Sequence, residues 1–329
     1  MANDYLLFIH GVYTRSKTRN ASYADKLFDR IHCIVQSEVS TLQLIKVPLY
    51  WGDVNEAEEK RLRDAYASSP DWSKFWFRSL RETALLQFIG DAALYMSRSV
   101  GAKVVSTLEE QIREGLKNVQ AGDRVHLVAH SFGAIILFDM LFASRWDPPD
   151  EPGHESIMRI RELMYGVDPA PQDGFRLASI STLGAPIGLF SLMNVTLNEK
   201  NERISSHDIN PRLRRLLQHL QEDRGTIRIP WLNFAHPADP LAYPLKPLLY
   251  QIVGEEHRYL DVRDYVNIGT NWLDIVTSPF SQTALALANV GNAHASYWYS
   301  QKVAQKIALA IVQSAQVSSV PQVTESSVP

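Results

Sequence analysis

The chain has 329 residues, 45% hydrophobic and 21% charged, enough for one large core and within the size of a single α/β domain. Its formal net charge of −3 gives no global field favouring nucleic acid or an anionic membrane, and its single cysteine, Cys33, excludes an internal disulfide. No uncharged apolar stretch reaches the roughly 18 residues of a membrane helix. Met1–Asp4 lacks a basic region, and Tyr5–Ile9 is too short for a signal-peptide core, so a soluble, cytoplasmic protein is expected.

The first strand is expected at Tyr5–Ile9. A helix follows, in which Tyr23, Leu27, Ile31 and Ile34 recur at helical spacing, and Cys33 among them reads as a buried thiol. Leu42–Pro48 is the second strand. A long connection from Trp51 to Gly122 opens with a charged run (Glu56, Glu58, Glu59, Lys60, Arg61, Arg63, Asp64) that reads as a solvated helix face. It continues through the aromatics Trp72, Phe75, Trp76 and Phe77, then an amphipathic stretch with Leu80, Ala84, Leu85, Phe88, Ile89 and Ala92. Val105, Leu108, Ile112 and Leu116 mark a helix just before the third strand, Arg124–Ala129. Phe175–Thr182, Pro230–Ala235 and Tyr259–Val266 complete six strands. A second long connection, Gly188–Arg228, sets Arg212, Arg214 and Arg215 beside Leu213, Leu216 and Leu217; the arginines read as a solvated face, with anchoring of an anionic substrate as the lesser reading. The last helix is expected at about Ala295–Ser314 with Val303, Ile307 and Ile311 inward, and residues 317–329 as a flexible tail rich in Ser, Val, Gln and Thr.

Short apolar runs bounded by turn residues suit strands covered on both faces. The expected fold is therefore α/β: a mainly parallel central sheet flanked by helices, one domain over 1–316, with helical insertions at about 53–120 and 188–228. Such insertions often roof an active site. The aromatics of the first one read equally as core, and a lipid-touching role for Trp72 and Trp76 is the third reading. No repeat, metal-ligand spacing or Gly-rich phosphate loop is present, so no cofactor or metal is expected.

Chemistry concentrates in Val125-His126-Leu127-Val128-Ala129-His130-Ser131-Phe132-Gly133. An apolar run halts at a serine with small residues two before and two after, Ala129 and Gly133, and a helical run starts at once. A nucleophile elbow requires this pattern, because the serine backbone is forced into an unfavourable conformation that lifts its hydroxyl above the sheet. A chance match on an ordinary strand–turn–helix unit is the competing reading.

A serine hydroxyl needs a neighbouring imidazole to take its proton. Among ten histidines, His294 fits best, in Gly291-Asn292-Ala293-His294-Ala295-Ser296-Tyr297-Trp298, a loop ahead of the terminal helix. A helix-capping histidine is the alternative. The imidazole in turn needs a carboxylate. Asp239 follows the fifth strand in a turn made rigid by Pro237 and Pro240, although an Asp before proline is also a common turn former. Asp274 is the rival acid, whereas Asp261 and Asp264 lie within a strand and should point elsewhere. Oxyanion donors would be the amide of Phe132, at the amino end of the elbow helix, and that of Val12, which Gly11 in the first strand's His10-Gly11 ending lets turn inward.

With these motifs in view, the chain resembles an α/β-hydrolase of the lipase and carboxylesterase branch, with Ala-His-Ser-x-Gly at the elbow. His10-Gly11 resembles the oxyanion loop, Ala129–Gly133 (His130 included) the elbow, Asp239 the acid and His294 the base. Leu183-Gly184-Ala185-Pro186 resembles the turn after the fourth strand of lipase-like members. The resemblance implies a sheet in which the elbow strand is central with the first strand beside it, and metal-free acyl-enzyme chemistry on a small-molecule or lipid ester. A thioesterase or acyltransferase uses the same parts, and a non-catalytic binding protein on the same fold is the reading from a different class. Membrane-surface contact and oligomeric state stay open.

Overall fold

Side-chain alternation decides the layering. Along β1 (Asn3–Ile9), Tyr5, Leu7 and Ile9 join one buried cluster while Leu6 and Phe8 join another, the division of a strand covered on both faces. The computed structural model describes residues 2–12, 22–76, 78, 81–82, 86–120, 122–165, 176–190, 195–197, 203–205, 212–218, 228–266 and 293–318. Further strands are β2 (Gln43–Leu49), β3 (Arg124–His130), β4 (Arg176–Leu183), a short antiparallel pair β5 (Val195–Leu197) and β6 (Arg203–Ser205), β7 (Ile229–Ala235) and β8 (Leu260–Val266). Six of them form one wholly parallel sheet in the order β2–β1–β3–β4–β7–β8. The elbow strand β3 is internal with β1 beside it. This is an α/β fold, a parallel central sheet flanked by helices, as expected.

The helices are α1 (Asp25–Glu38), α2 (Glu56–Ala67), α3 (Leu86–Met96), α4 (Arg98–Gly115), α5 (Phe132–Phe142), α6 (His154–Tyr165), α7 (Lys246–Val253) and α8 (Gln301–Ser318), alongside shorter turns. On one face of the sheet Leu27, Ile31 and Val35 of α1 meet Val303, Ile307 and Ile311 of α8. Cys33 is exposed, not buried as expected, because it stands two residues off the Leu27–Ile31–Val35 stripe and so on another side of the helix. The terminal helix also differs from expectation. Tyr297 and Trp298 are buried in a separate tight turn, Ser296–Tyr299, and Ser300 Oγ then accepts from Val303 N at 3.3 Å, so the helix starts at Gln301 and runs through Ser318.

On the other face lie α4, α5 and α6. Every residue of α5 is buried, as expected of a helix that is apolar all round, and Asp139 is its single charge. That carboxylate accepts from Tyr95 Oη at 2.6 Å, Arg145 Nε at 2.8 Å and Trp146 Nε1 at 3.0 Å, tying α3 to the helix behind the elbow. Arg212 pairs with Asp147 at 2.8 Å and Arg214 donates to the Ile252 carbonyl at 3.3 Å, while Leu213, Leu216 and Leu217 are buried. Those two arginines hold the second connection to the body of the protein.

In the first long connection, α4 places Val104, Val105, Leu108 and Ile112 in the main core, so this stretch is a crossover helix. Helix α2 is solvated except at Glu59 and Arg63. The described aromatics of this segment are not core: Trp76 is 80% exposed and Phe75 47%, and Trp72 packs between the rings of Tyr66 and Phe75. Phe77, Leu80, Ala84, Leu85 and the chain after Ser318 lie outside the described residues. No described helix is long and apolar enough to cross a membrane.

At the amino ends of the central strands Asp4 takes both Nε and an Nη of Arg124, at 2.7 and 2.6 Å, and lies 2.9 Å from His126 Nε2; all three are buried. Burial alone would raise the Asp4 carboxyl, but its bonds to His126 and Arg124 outweigh that and hold it below the ordinary range. A depressed carboxyl stabilises the fold above the unfolded-state pKa, and that contribution is lost as pH falls through the native value. Asp4→Ala, which leaves Arg124 buried and unpaired, is expected to cost about 3–5 kcal/mol at neutral pH in denaturant unfolding. The gap from the parent should narrow below about pH 4; a pH-independent gap would contradict this account.

Candidate active site

Only one residue separates β3 from α5. Ser131 sits there at φ 54° and ψ −131°, the one non-glycine residue with positive φ among those described. An L-residue is held in such a conformation only where its surroundings over-determine it. Here they do. Ser131 N donates to the Leu183 carbonyl at 2.9 Å, and the end of β1 lies directly against the turn. A Cβ on Gly11 would stand 2.5 Å from Ser131 Cβ and 2.9 Å from its Oγ, and one on Gly133 would stand 2.2 Å from the His10 carbonyl oxygen. Both approaches therefore require glycine. Ala129 is fully buried beneath.

His10, the strand-end histidine, is itself a strut. Its Nδ1 donates to the Gly11 carbonyl at 2.6 Å, and its Nε2 accepts from Trp51 N at 3.3 Å. The Trp51 indole donates back to the His10 carbonyl at 3.1 Å and stacks on the imidazole at 5.4 Å. Trp51 and Tyr95 also flank the Phe132 ring, fixing the first turn of α5, whose opening amides point toward the elbow. Val12, one residue beyond Gly11, is half-buried against the same core.

Asp239 and His294 come together from opposite ends of the C-terminal half. His294 Nδ1 donates to Asp239 Oδ2 at 2.8 Å. The Tyr297 hydroxyl donates to the same oxygen at 2.8 Å while accepting from His236 N at 2.8 Å, and Leu241 N donates to Oδ1 at 3.0 Å. Burial pushes the Asp239 carboxyl up, but the bonds and charge of His294, with Tyr297 and the Leu241 amide, hold it below the ordinary range. The carboxylate is therefore ionised at neutral pH. Burial and the Asp239 charge push the Tyr297 phenol well above its usual range, so it remains a donor.

Ser131 Oγ and His294 Nε2 are both shielded from solvent, and neither is hydrogen-bonded to a described protein group. Asp239 and His294 are thus in contact, and no bond joins Ser131 Oγ to His294 Nε2. Such bonds often tighten only once substrate is bound. His130, the residue before the serine, reaches His294: its Nε2 lies 2.7 Å from the His294 carbonyl oxygen.

Asp274 lies outside the described residues. Asp264 accepts from Leu245 N, Lys246 N and Asn233 Nδ2, which places it at the start of α7, and Asp261 pairs with Arg263. Among the described residues no group of three or more His, Cys, Asp or Glu side chains is placed to hold a metal ion. Sequence reasoning passed over Tyr297 and the part played by Gly184, although both stand in motifs it singled out. Tyr297 is one helical turn beyond His294, and Gly184 opens the turn after β4.

No protein-family model matches the chain. A probable mitochondrial phospholipase of Schizosaccharomyces pombe is 28% identical over 154 residues, which are 45% of this chain and 17% of that protein. The match thus spans about a sixth of the relative's length. Among solved structures, Est1E from Butyrivibrio proteoclasticus aligns over 87% of this chain and 89% of its own at 9% identity and a TM-score of 0.33. The RedJ thioesterase of the prodiginine pathway of Streptomyces coelicolor aligns over 85% of each chain at 13% identity and a TM-score of 0.28. The two structural likenesses, at these scores, do not bear on function.

Gly184 tests the packing around Asp239. It has φ +55°, and an added Cβ would lie 2.6 Å from Asp239 Oδ2 and 2.8 Å from the Tyr297 ring. Gly184→Ala is expected to destabilise the protein by at least about 1–2 kcal/mol from the backbone alone, measured as a lower denaturant midpoint at unchanged slope. A midpoint equal to the parent's would show that Asp239 is not packed this way.

Proposed function

We propose that this protein is a serine hydrolase that cleaves carboxylic esters through an acyl-enzyme. One observation carries the reading: a 2.8 Å carboxylate–imidazole bond stands beside a serine held at positive φ against two glycines. The strained serine and the glycine-permitted approach are what set this assembly apart from an ordinary buried carboxylate–histidine contact.

In the proposed reaction Ser131 Oγ attacks the acyl carbon while His294 Nε2 takes its proton. Asp239 keeps the other imidazole nitrogen protonated and stabilises the cation that forms. The charge developing on the carbonyl oxygen falls to the amides of Phe132 and Val12, each such donor being worth roughly 2.7–4 kcal/mol to a transition state. The imidazolium then gives its proton to the departing alkoxide, releasing the alcohol. Water attacks the acyl-enzyme with His294 as base again, and the carboxylic acid leaves as Ser131 regains its proton. The serine proton leaves with the alcohol and water supplies its replacement, so the enzyme is regenerated with no metal or cofactor taking part in these steps.

A lipid ester is the favoured substrate class within this reading. The curated relative is named as a probable phospholipase, and exposed Phe75 and Trp76 offer apolar surface on the first insertion. Transfer of the acyl group to an alcohol or amine instead of water would use the same residues, and product analysis with added acceptor distinguishes the two.

On a panel of short- and long-chain esters, Ser131→Ala is expected to lower kcat/KM by about 10⁶-fold, and Asp239→Asn by about 10⁴-fold. Parent-level turnover by either variant would refute the assignment of that residue.

A further inference from the structure

We infer that His130 is a positioning residue for the catalytic base: its side chain clamps the backbone of His294 and so sets the imidazole against the hydroxyl of the adjacent Ser131. The inference rests on the serine-hydrolase reading and assigns a side chain to which that mechanism gives no step.

The geometry is specific. His130 is the last residue of β3, directly before the nucleophile, and its side chain lies on the sheet face occupied by Tyr297 and Trp298. Its Nε2 is 2.7 Å from the His294 carbonyl oxygen, and a carbonyl can only accept, so Nε2 carries the hydrogen. The two imidazole rings stand 4.6 Å apart. His294 is therefore held at two points. Asp239 takes its side-chain Nδ1, and His130 takes its main-chain oxygen. The first contact fixes the orientation of the ring and the second fixes where its backbone sits. Because the second anchor is bonded in sequence to Ser131, any displacement of the elbow carries the base with it. Nucleophile and base keep their spacing although they belong to distant parts of the chain.

This role demands a neutral imidazole. A cation at 130 would oppose the imidazolium that forms on His294 during acyl transfer. Burial, with the neighbouring His294 and His10 acting in the same direction, pushes His130 down to about 3, against the opposing pull of the His294 carbonyl and Asp239. His130 Nδ1, buried and without a hydrogen-bond partner, is consistent with a ring that keeps one proton, on Nε2.

Two substitutions separate positioning from packing. His130→Leu fills the space without a donor, whereas His130→Gln can return an N–H near the Nε2 position. We expect His130→Leu to lose about ten- to a hundredfold in kcat with KM within about twofold, and His130→Gln to recover most of that loss. Unchanged kcat in His130→Leu, or equal losses in both variants when both melt like the parent, would overturn the role. In the parent protein ¹⁵N NMR of the imidazole provides a readout independent of folding in the variants. It should report the Nε2–H tautomer, uncharged down to about pH 4; an Nδ1–H tautomer or titration in the ordinary histidine range would overturn it. Ser131→Ala assayed in parallel keeps the two readings apart: if it retains parent turnover the serine-hydrolase reading fails, whereas its loss together with parent-like His130→Leu refutes the clamp alone.

Discussion

The backbone of Ser131 is the constraint around which the rest of the structure is arranged. A left-handed φ on a serine costs on the order of 1–3 kcal/mol and persists only where neighbouring contacts impose it. Two glycines permit those contacts, Gly11 facing the serine side chain and Gly133 facing the His10 carbonyl, and no side chain could be added to either without steric conflict. The His10–Trp51 pair holds the crossing segment in place from behind. Asp139, bonded to Tyr95, Arg145 and Trp146, steadies the helix that begins where the turn ends. The strain is local, and the structure that sustains it is spread over the whole core.

A parallel sheet delivers its loops to one edge, and the candidate site lies at that edge. Gly11 follows β1, Ser131 follows β3, Gly184 follows β4 and Asp239 follows β7. The opposite edge offers a useful contrast. There Asp4 Oδ1 lies 2.9 Å from His126 Nε2, and His126 Nδ1 lies 2.7 Å from Ser179 Oγ, so the same three residue types meet in the same order. All three are buried in the body of the sheet, Asp4 is neutralised by Arg124, and Ser179 is an ordinary strand residue. Residue types in contact do not make a site. A strained turn, glycine-permitted approach and position at the loop edge separate the assembly at Ser131 from its buried counterpart.

Much of the fold was legible from the chain because strands buried on both faces leave short apolar runs, and each of the six was located within about two residues. The elbow was legible for a steric reason, since only small residues fit at 129 and 133. Asp239 and His294, which the structure brings within 2.8 Å of each other, were singled out because a nucleophilic Ser131 would demand such partners and local turn residues narrowed the choice. Cys33 was misplaced because neighbouring apolar residues suggested burial, whereas a helix buries a stripe that bypasses it. The start of the last helix was misjudged because the burial of Tyr297 and Trp298 is a tertiary effect. The same holds for the support given by Tyr297, Gly184 and His130, whose partners lie 58, 55 and 164 residues away, beyond the reach of local pattern.

The central claim is that Ser131 is a nucleophile activated by His294. Treating the intact protein with a fluorophosphonate and mapping the modified peptide by mass spectrometry tests this directly. The account predicts a single adduct, on the Ser131 hydroxyl, that forms far more slowly once His294 is replaced by Ala. An unreactive Ser131 in the folded protein, or labelling as fast without His294 as with it, would contradict the account.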